Sequence, residues 1–172
     1  SATGGRYIIK DDGDAYDNHE VLLRYPGLTI TWMSSLTNSY GFDFARGQEP
    51  RRRLGVYFHG ENGTLMADYE KHQILPEGNK MKGMQTPPQS IPPSPGHELE
   101  WLECVRSRKQ PSCNPGYHVR IDVPIALSTL SLKIGRSISF DPDNEKIAGD
   151  DEAIKLSVPE YRAPWKFPSE YL

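Results

Sequence analysis

The feature that most constrains the fold is a pair of alternating segments joined by a tight turn. In "LTITWMSS", residues 28–35, every second residue from Leu28 to Trp32 is large and apolar, which is the period of a half-buried strand. "HEVLLRY", residues 19–25, precedes it across Pro26-Gly27, so the pattern predicts a hairpin. Asn62-Gly63 predicts another, because both residues tolerate positive φ.

Further strand-like segments complete the first two thirds of the chain. "RYIIK", residues 6–10, is short and rich in β-formers, and residues 54–60, 64–69 and 72–76 alternate like the strands of a meander. Residues 76–96 hold six prolines and no periodicity, which predicts a long proline-rich loop.

Helical patterns follow this loop. Residues 97–109 predict one helix, which Pro111 stops. Asn114-Pro115 predicts an N-cap and first turn, and apolar residues recur at helical spacing until Ile134, where Gly135 suits the C′ position. Pro124 conflicts with this long helix, so it either kinks the helix or marks its true start.

The last part of the chain predicts one more strand and one more helix. These are "SISFD", residues 137–141, and "DDEAIKL", residues 150–156, whose acidic first turn suits the helix dipole. The order of strands, then helices, then a strand predicts an α+β fold with an open, mostly antiparallel sheet and helices on one face. What covers the other face is left open. The length of 172 residues favours a single domain over 1–172.

Charge, cysteines and hydropathy exclude several classes of protein. A net charge of -3 argues against a nucleic-acid binder, and "RRR" at 51–53 favours a solvated loop over a phosphate or anion site. Cys104 and Cys113 are expected to be free thiols, which favours the cytoplasm. No segment approaches the ~18 apolar residues of a membrane span, so no membrane partner is expected.

The sequence offers no cofactor or metal motif. No two glycines are separated by a single residue, so the dinucleotide fingerprint G-x-G-x-x-G is absent. "DPDNEKIAGDDE" places acidic residues at calcium-loop positions, but Lys146 stands where the loop needs glycine. A hydrolytic carboxylate pair is a weaker alternative, because the 23 acidic residues offer many pairs but nothing fixes two of them on one surface.

Three residues are candidates for a substrate site. Tyr40 and Phe42 flank a glycine in "NSYGFDF", where they form either one wall of a sugar-sized pocket or the edge of the core. His118 lies beside Tyr117 at the start of the long helix, where it either meets a ligand or serves the structure.

Seven segments in register resemble one family over nearly the whole chain. They are "ATGGRY", "EVLLRYPGLTITW", "VYFHGENGTL", "WLECVRSRKQPSC", "IALSTLSLKIGRSISFDP", "AGDDEA" and "YRAPWKF". Together they resemble the C-terminal domain of the Gfo/Idh/MocA oxidoreductases, in a bacterial-type, planctomycete-like branch. The resemblance implies that the chain is the C-terminal half of a two-domain enzyme whose N-terminal Rossmann domain holds NAD or NADP.

The resemblance also implies a division of labour. The sheet's uncovered face would pack against a second subunit in a homo-oligomer. The catalytic Lys, Asp and His would lie upstream of Ser1, so this chain is expected to lack the cofactor site and to be inactive alone. "YGFD" resembles a Tyr-Gly-Tyr-Asp segment that faces a polyol, which implies a small sugar-like substrate at Tyr40 and Phe42, although Phe42 lacks one hydroxyl.

Two expectations remain beside this one. The abrupt start at Ser1 predicts that an upstream part, with any export signal, has been cut away. The main alternative function is a free-standing β-rich carbohydrate-binding or scaffolding domain.

Overall fold

The computed structural model describes residues 1–37, 54–69 and 71–168, and the chain divides into two compact units. The first unit joins residues 1–37 to the chain from Arg108 onward, and the second contains the residues between them. The strands and helices are β1 (Ala2–Gly5), β2 (Asn18–Tyr25), β3 (Leu28–Ser35), β4 (Gly55–His59), β5 (Gly63–Asp68), β6 (His72–Pro76), α1 (His97–Ser107), α2 (Pro115–Ile134), β7 (Phe140–Asp141), β8 (Lys146–Ile147) and α3 (Asp151–Ser157).

The first unit contains an antiparallel sheet in the order β1-β2-β3. The predicted hairpin between β2 and β3 is confirmed, and Gly27 turns the chain with a φ of 74°. Val21 lies opposite Trp32 on one side and Ala2 on the other, so these three side chains share one face of the sheet.

The strand predicted at residues 6–10 is wrong, because β1 ends at Gly5 and a loop follows. Two charged side chains hold this loop. The Arg6 guanidinium donates to the carbonyls of Ile9 and Ala15, at 2.9 and 3.2 Å. The Asp17 carboxylate accepts hydrogen bonds from the amides of residues 7–9. These amides therefore donate to a side chain rather than to a neighbouring strand.

The predicted ends of α2 are confirmed. Asn114 is the N-cap, its side chain accepts from the Tyr117 amide, and Pro115 stands in the first turn. Gly135 closes the helix with a φ of 70°, a conformation that suits glycine. Since the helix runs through Pro124, the interpretation of that proline as the true start is wrong.

The core of the first unit lies where α2 packs against β1 and α3. Its buried apolar side chains are Val21, Leu130 and Ala153. The Ala2 amide donates to Ser131 Oγ at 3.0 Å, and this hydroxyl donates to the Arg136 carbonyl at 2.6 Å. One buried hydroxyl thus joins the first strand to the end of the long helix.

The short β7–β8 hairpin leads into α3. Asp150 caps α3 by accepting from the Ala153 amide at 3.0 Å. Arg136 donates two hydrogen bonds to the Asp150 carboxylate, at 2.8 and 3.0 Å, and a third to Glu152 at 2.7 Å. These bonds fasten the segment after α2 to the start of α3.

The second unit contains the antiparallel meander β4-β5-β6 and helix α1. The register pairs His59 with Thr64 around the Asn62-Gly63 turn, as the sequence predicts. Residues 77–96 hold turns but no helix or strand, and α1 has no buried residue.

The α+β fold class is confirmed. The paired strands are antiparallel, they accompany three helices, and no barrel closes within the described residues. Over the same part of the chain, no helix is both long and apolar enough to cross a membrane.

Candidate functional site

The candidate site lies at the N-terminal turn of α2, around His118. Asn114 Oδ1 accepts from the Tyr117 amide at 3.1 Å, and Asn114 Nδ2 donates to the Pro111 carbonyl at 3.1 Å. The N-cap side chain thus fixes both the helix start and the segment before it. These two hydrogen bonds therefore hold the backbone at the start of α2, where His118 lies.

The His118 ring has a polar partner at each nitrogen. Nε2 lies 3.0 Å from Cys113 Sγ, and Nδ1 lies 3.8 Å from Asp122 Oδ2. The first is a hydrogen bond to sulfur, while the second is an electrostatic contact beyond hydrogen-bond length. A thiol, an imidazole and a carboxylate therefore follow one another along the helix start, and all three side chains are exposed.

Sequence reasoning identified His118 but missed both partners. His118 and Asp122 are four residues apart, which places them on one helix face, and this spacing could have been read from the sequence. Cys113 precedes the N-cap, so its approach to His118 depends on how the chain enters the helix. Tyr40 and Phe42, the other predicted site residues, lie outside the described residues.

Asp17 forms a second polar centre in the first unit. It is 2 % exposed, and its carboxylate accepts from the amides of Tyr7, Ile8 and Ile9 at 2.6–3.0 Å and from Asn18 Nδ2 at 2.9 Å. Burial raises the pKa of this carboxyl, but the amide hydrogen bonds outweigh burial and hold the pKa well below its usual range. Because its oxygens already accept hydrogen bonds from the loop amides and from Asn18, Asp17 stabilises the loop and is not a candidate for binding a ligand.

The acidic segment that begins at Asp141 also forms internal hydrogen bonds. Asp141 accepts from the amides of Asp143 and Asn144, at 3.0 and 3.2 Å, and from Asn144 Nδ2 at 2.7 Å. The side-chain bond from Asn144 is the largest influence that lowers the pKa of Asp141. Within the described residues, no three His, Cys, Asp or Glu side chains are grouped to hold a metal ion.

The second unit has an open, mainly apolar cavity of about 320 Å³. Its lining includes Phe58, Leu65, Ile74 and Met81, while His59 Nδ1 lies 2.9 Å from Thr64 Oγ1. The volume falls at the lower limit of small-molecule sites. With so few polar groups, the cavity offers little to orient a sugar.

One family of proteins matches the chain. The matching family is described as the oxidoreductase family, C-terminal alpha/beta domain, of the Gfo/Idh/MocA group, and the match covers residues 43–167, more than half of the chain. No curated protein and no solved structure matches the chain. The matched range contains the His118 site.

Proposed function

Because the chain belongs to the Gfo/Idh/MocA oxidoreductase family, as its C-terminal α/β domain, we propose that it binds substrate and assembles subunits in an NAD(P)-dependent enzyme. The proposed substrate is a sugar, a sugar derivative or a cyclitol. The family match over residues 43–167 carries this proposal. The N-terminal Rossmann domain of the full protein is the partner that completes the enzyme.

The residues that the structure describes do not fit a nicotinamide cofactor. A dinucleotide site needs a glycine-rich turn that leads from a strand into a helix N-terminus, where the pyrophosphate binds. Among the described helices, α1 follows a proline-rich segment, α2 follows Cys113, and α3 has only seven residues. The cofactor is therefore assigned to the Rossmann domain of the full protein.

Each of the residues His118, Tyr40 and Phe42 is proposed to contact the substrate. His118 is exposed at the start of α2, and its Nδ1, which lies beyond hydrogen-bond length from Asp122, can donate to or accept from a substrate hydroxyl. Tyr117 supports the ring position, because the two ring centroids lie 6.3 Å apart in an edge-on arrangement. Tyr40 and Phe42 would supply aromatic faces for the C–H surface of a sugar ring.

The proposed assembly surface lies on the β1–β3 sheet. We name it the Trp32 face: the side chains of Leu28, Ile30 and Trp32 on β3 share the sheet face of the core residue Val21 and extend that face beyond the core. Val21 is buried, but Trp32 is 47 % exposed and Leu28 is 56 % exposed. Burying apolar surface stabilises a contact by about 25 cal/mol per Å², so packing of a second copy of the chain against this face would stabilise the assembly.

Light scattering across a dilution series tests the assembly. We expect a dimer or larger species for the wild-type chain and dissociation for Trp32→Glu, which would place a charge in the apolar contact. Thr31→Glu is the matched control, because the neighbouring side chain points to the opposite face of the same strand.

Two results would contradict the assembly proposal. A monomer at every concentration would favour the free-standing binding or scaffolding domain. Dissociation caused by Thr31→Glu but not by Trp32→Glu would place the interface on the other face of the sheet. Circular dichroism of each variant checks that the fold is retained.

A further inference from the structure

We propose that Cys113, His118 and Asp122 form a reactive-thiol site that undergoes thiol–disulfide exchange with small disulfides. This assigns a modification site to the N-terminal end of α2, with a low-molecular-weight disulfide as the reacting ligand.

The first argument is the contact between thiol and base. Cys113 Sγ lies 3.0 Å from His118 Nε2, within hydrogen-bond reach for sulfur. The thiolate is the nucleophile in disulfide exchange, and a neighbouring imidazole that takes the thiol proton is a common way to activate cysteine. The pair therefore has the geometry that activation requires.

The second argument is the group behind the base. Asp122 Oδ2 lies 3.8 Å from His118 Nδ1, on the side of the ring away from the sulfur. This carboxylate can balance the positive charge that the imidazole acquires with the proton. A nucleophile, a base and a carboxylate beside the base, in that order, resemble the arrangement of an activated nucleophile.

The third argument is the position in the fold. Cys113 directly precedes the N-cap of a 20-residue helix, and helix N-termini favour negative charge. Cys113 is exposed, so a small disulfide can reach the sulfur. Cys104, the other cysteine of the chain, is less exposed and lies within α1 in the second unit.

The reaction balances with the disulfide as oxidant. His118 takes the proton of the Cys113 thiol, and the thiolate attacks one sulfur of the disulfide. A new S–S bond forms as the original S–S bond breaks, and the departing thiolate leaves with the electron pair. That thiolate recovers the proton from His118, so the products are a mixed disulfide on Cys113 and one small thiol.

The test measures the rate of reaction with dithiobis(nitrobenzoate) at neutral pH. In a Cys104→Ser background, Cys113 is the only thiol of the chain. We expect the folded protein to react on the order of tenfold faster than the same protein unfolded in guanidinium, where every thiol is fully accessible but not activated. Steric protection alone would produce the opposite order.

Variants separate the roles of the two partners. His118→Gln should abolish most of the folded-state acceleration, and Asp122→Asn should reduce it by a factor of about two to three. His97→Gln is the matched control, because His97 is also an exposed histidine beside a carboxylate, 3.1 Å from Glu98. Its rate should equal that of the parent.

Incubation with glutathione disulfide identifies the product. We expect intact-mass spectrometry to show one added glutathione on the Cys104→Ser protein and none when Cys113→Ser is combined with it. A folded rate at or below the unfolded rate would overturn the proposal. So would an unchanged rate in a folded His118→Gln protein. If that variant does not fold, the comparison of folded and unfolded parent protein still decides.

Discussion

At the scale of single residues, Asp17 shows how one carboxylate determines the path of a loop. Three consecutive backbone amides, of Tyr7, Ile8 and Ile9, point at its two oxygens. Burial opposes the charge, but these donors stabilise it, so the pKa lies well below the usual range. The loop conformation and the ionisation state of Asp17 therefore depend on each other.

Asp17→Asn should lower the free energy of unfolding at neutral pH, since the amide side chain is a weaker acceptor for three amides. A carboxyl whose folded-state pKa is depressed contributes stability above its unfolded pKa and loses it as the pH falls. The difference between wild type and variant should therefore narrow below about pH 4. Urea unfolding at several pH values measures this difference.

Asp143→Asn is the control for that experiment, because Asp143 is an exposed carboxylate in the β7–β8 turn of the same unit. It should change the unfolding midpoint much less than Asp17→Asn. A constant difference between Asp17→Asn and wild type across the acidic range would contradict the account of Asp17.

At the scale of elements, the sequence predicted the turns and helix ends that depend on residues adjacent in the chain. The Pro26-Gly27 hairpin, the Asn114 cap and the Gly135 stop were readable because each rests on a residue's own conformational preference. The path of residues 6–10 could not be predicted, because backbone amides there donate to Asp17, a side chain about ten residues away. The Cys113–His118 contact could not be predicted either, since it depends on how the chain turns at the N-cap residue Asn114.

Asn114→Ala should destabilise the first unit by about 1 kcal/mol, the usual cost of losing an N-cap side chain. Asn114→Ser keeps an acceptor for the Tyr117 amide and should retain most of the stability. Chemical denaturation of the three proteins gives the comparison. Equal stability of the alanine and serine variants would show that this cap contributes nothing.

At the scale of the whole molecule, the described chain exposes much apolar surface. The large exposed apolar side chains include Trp32, Phe58, Trp101 and Trp165, whereas few apolar side chains are buried. Isolated soluble domains seldom leave extensive apolar patches uncovered. This imbalance supports the proposal that further protein, a second copy or a Rossmann partner, covers part of the surface.

The chain alone should reduce neither NAD nor NADP in the presence of sugars or cyclitols, because its sequence lacks the dinucleotide fingerprint G-x-G-x-x-G. Absorbance of the reduced nicotinamide measures turnover, with protein-free mixtures as the baseline. Reduction that requires both the chain and a polyol would contradict the assignment of the cofactor to another domain.

The bond from the Ala2 amide to Ser131 Oγ has a consequence for synthesis on the ribosome. The first strand leaves the ribosome before the second unit, and its helical partner is translated only after that unit. The second unit is continuous in sequence and can fold while translation proceeds. During that interval the β1–β3 sheet lacks the helical residues that bury Val21, so its apolar side chains stay uncovered until α2 has been translated.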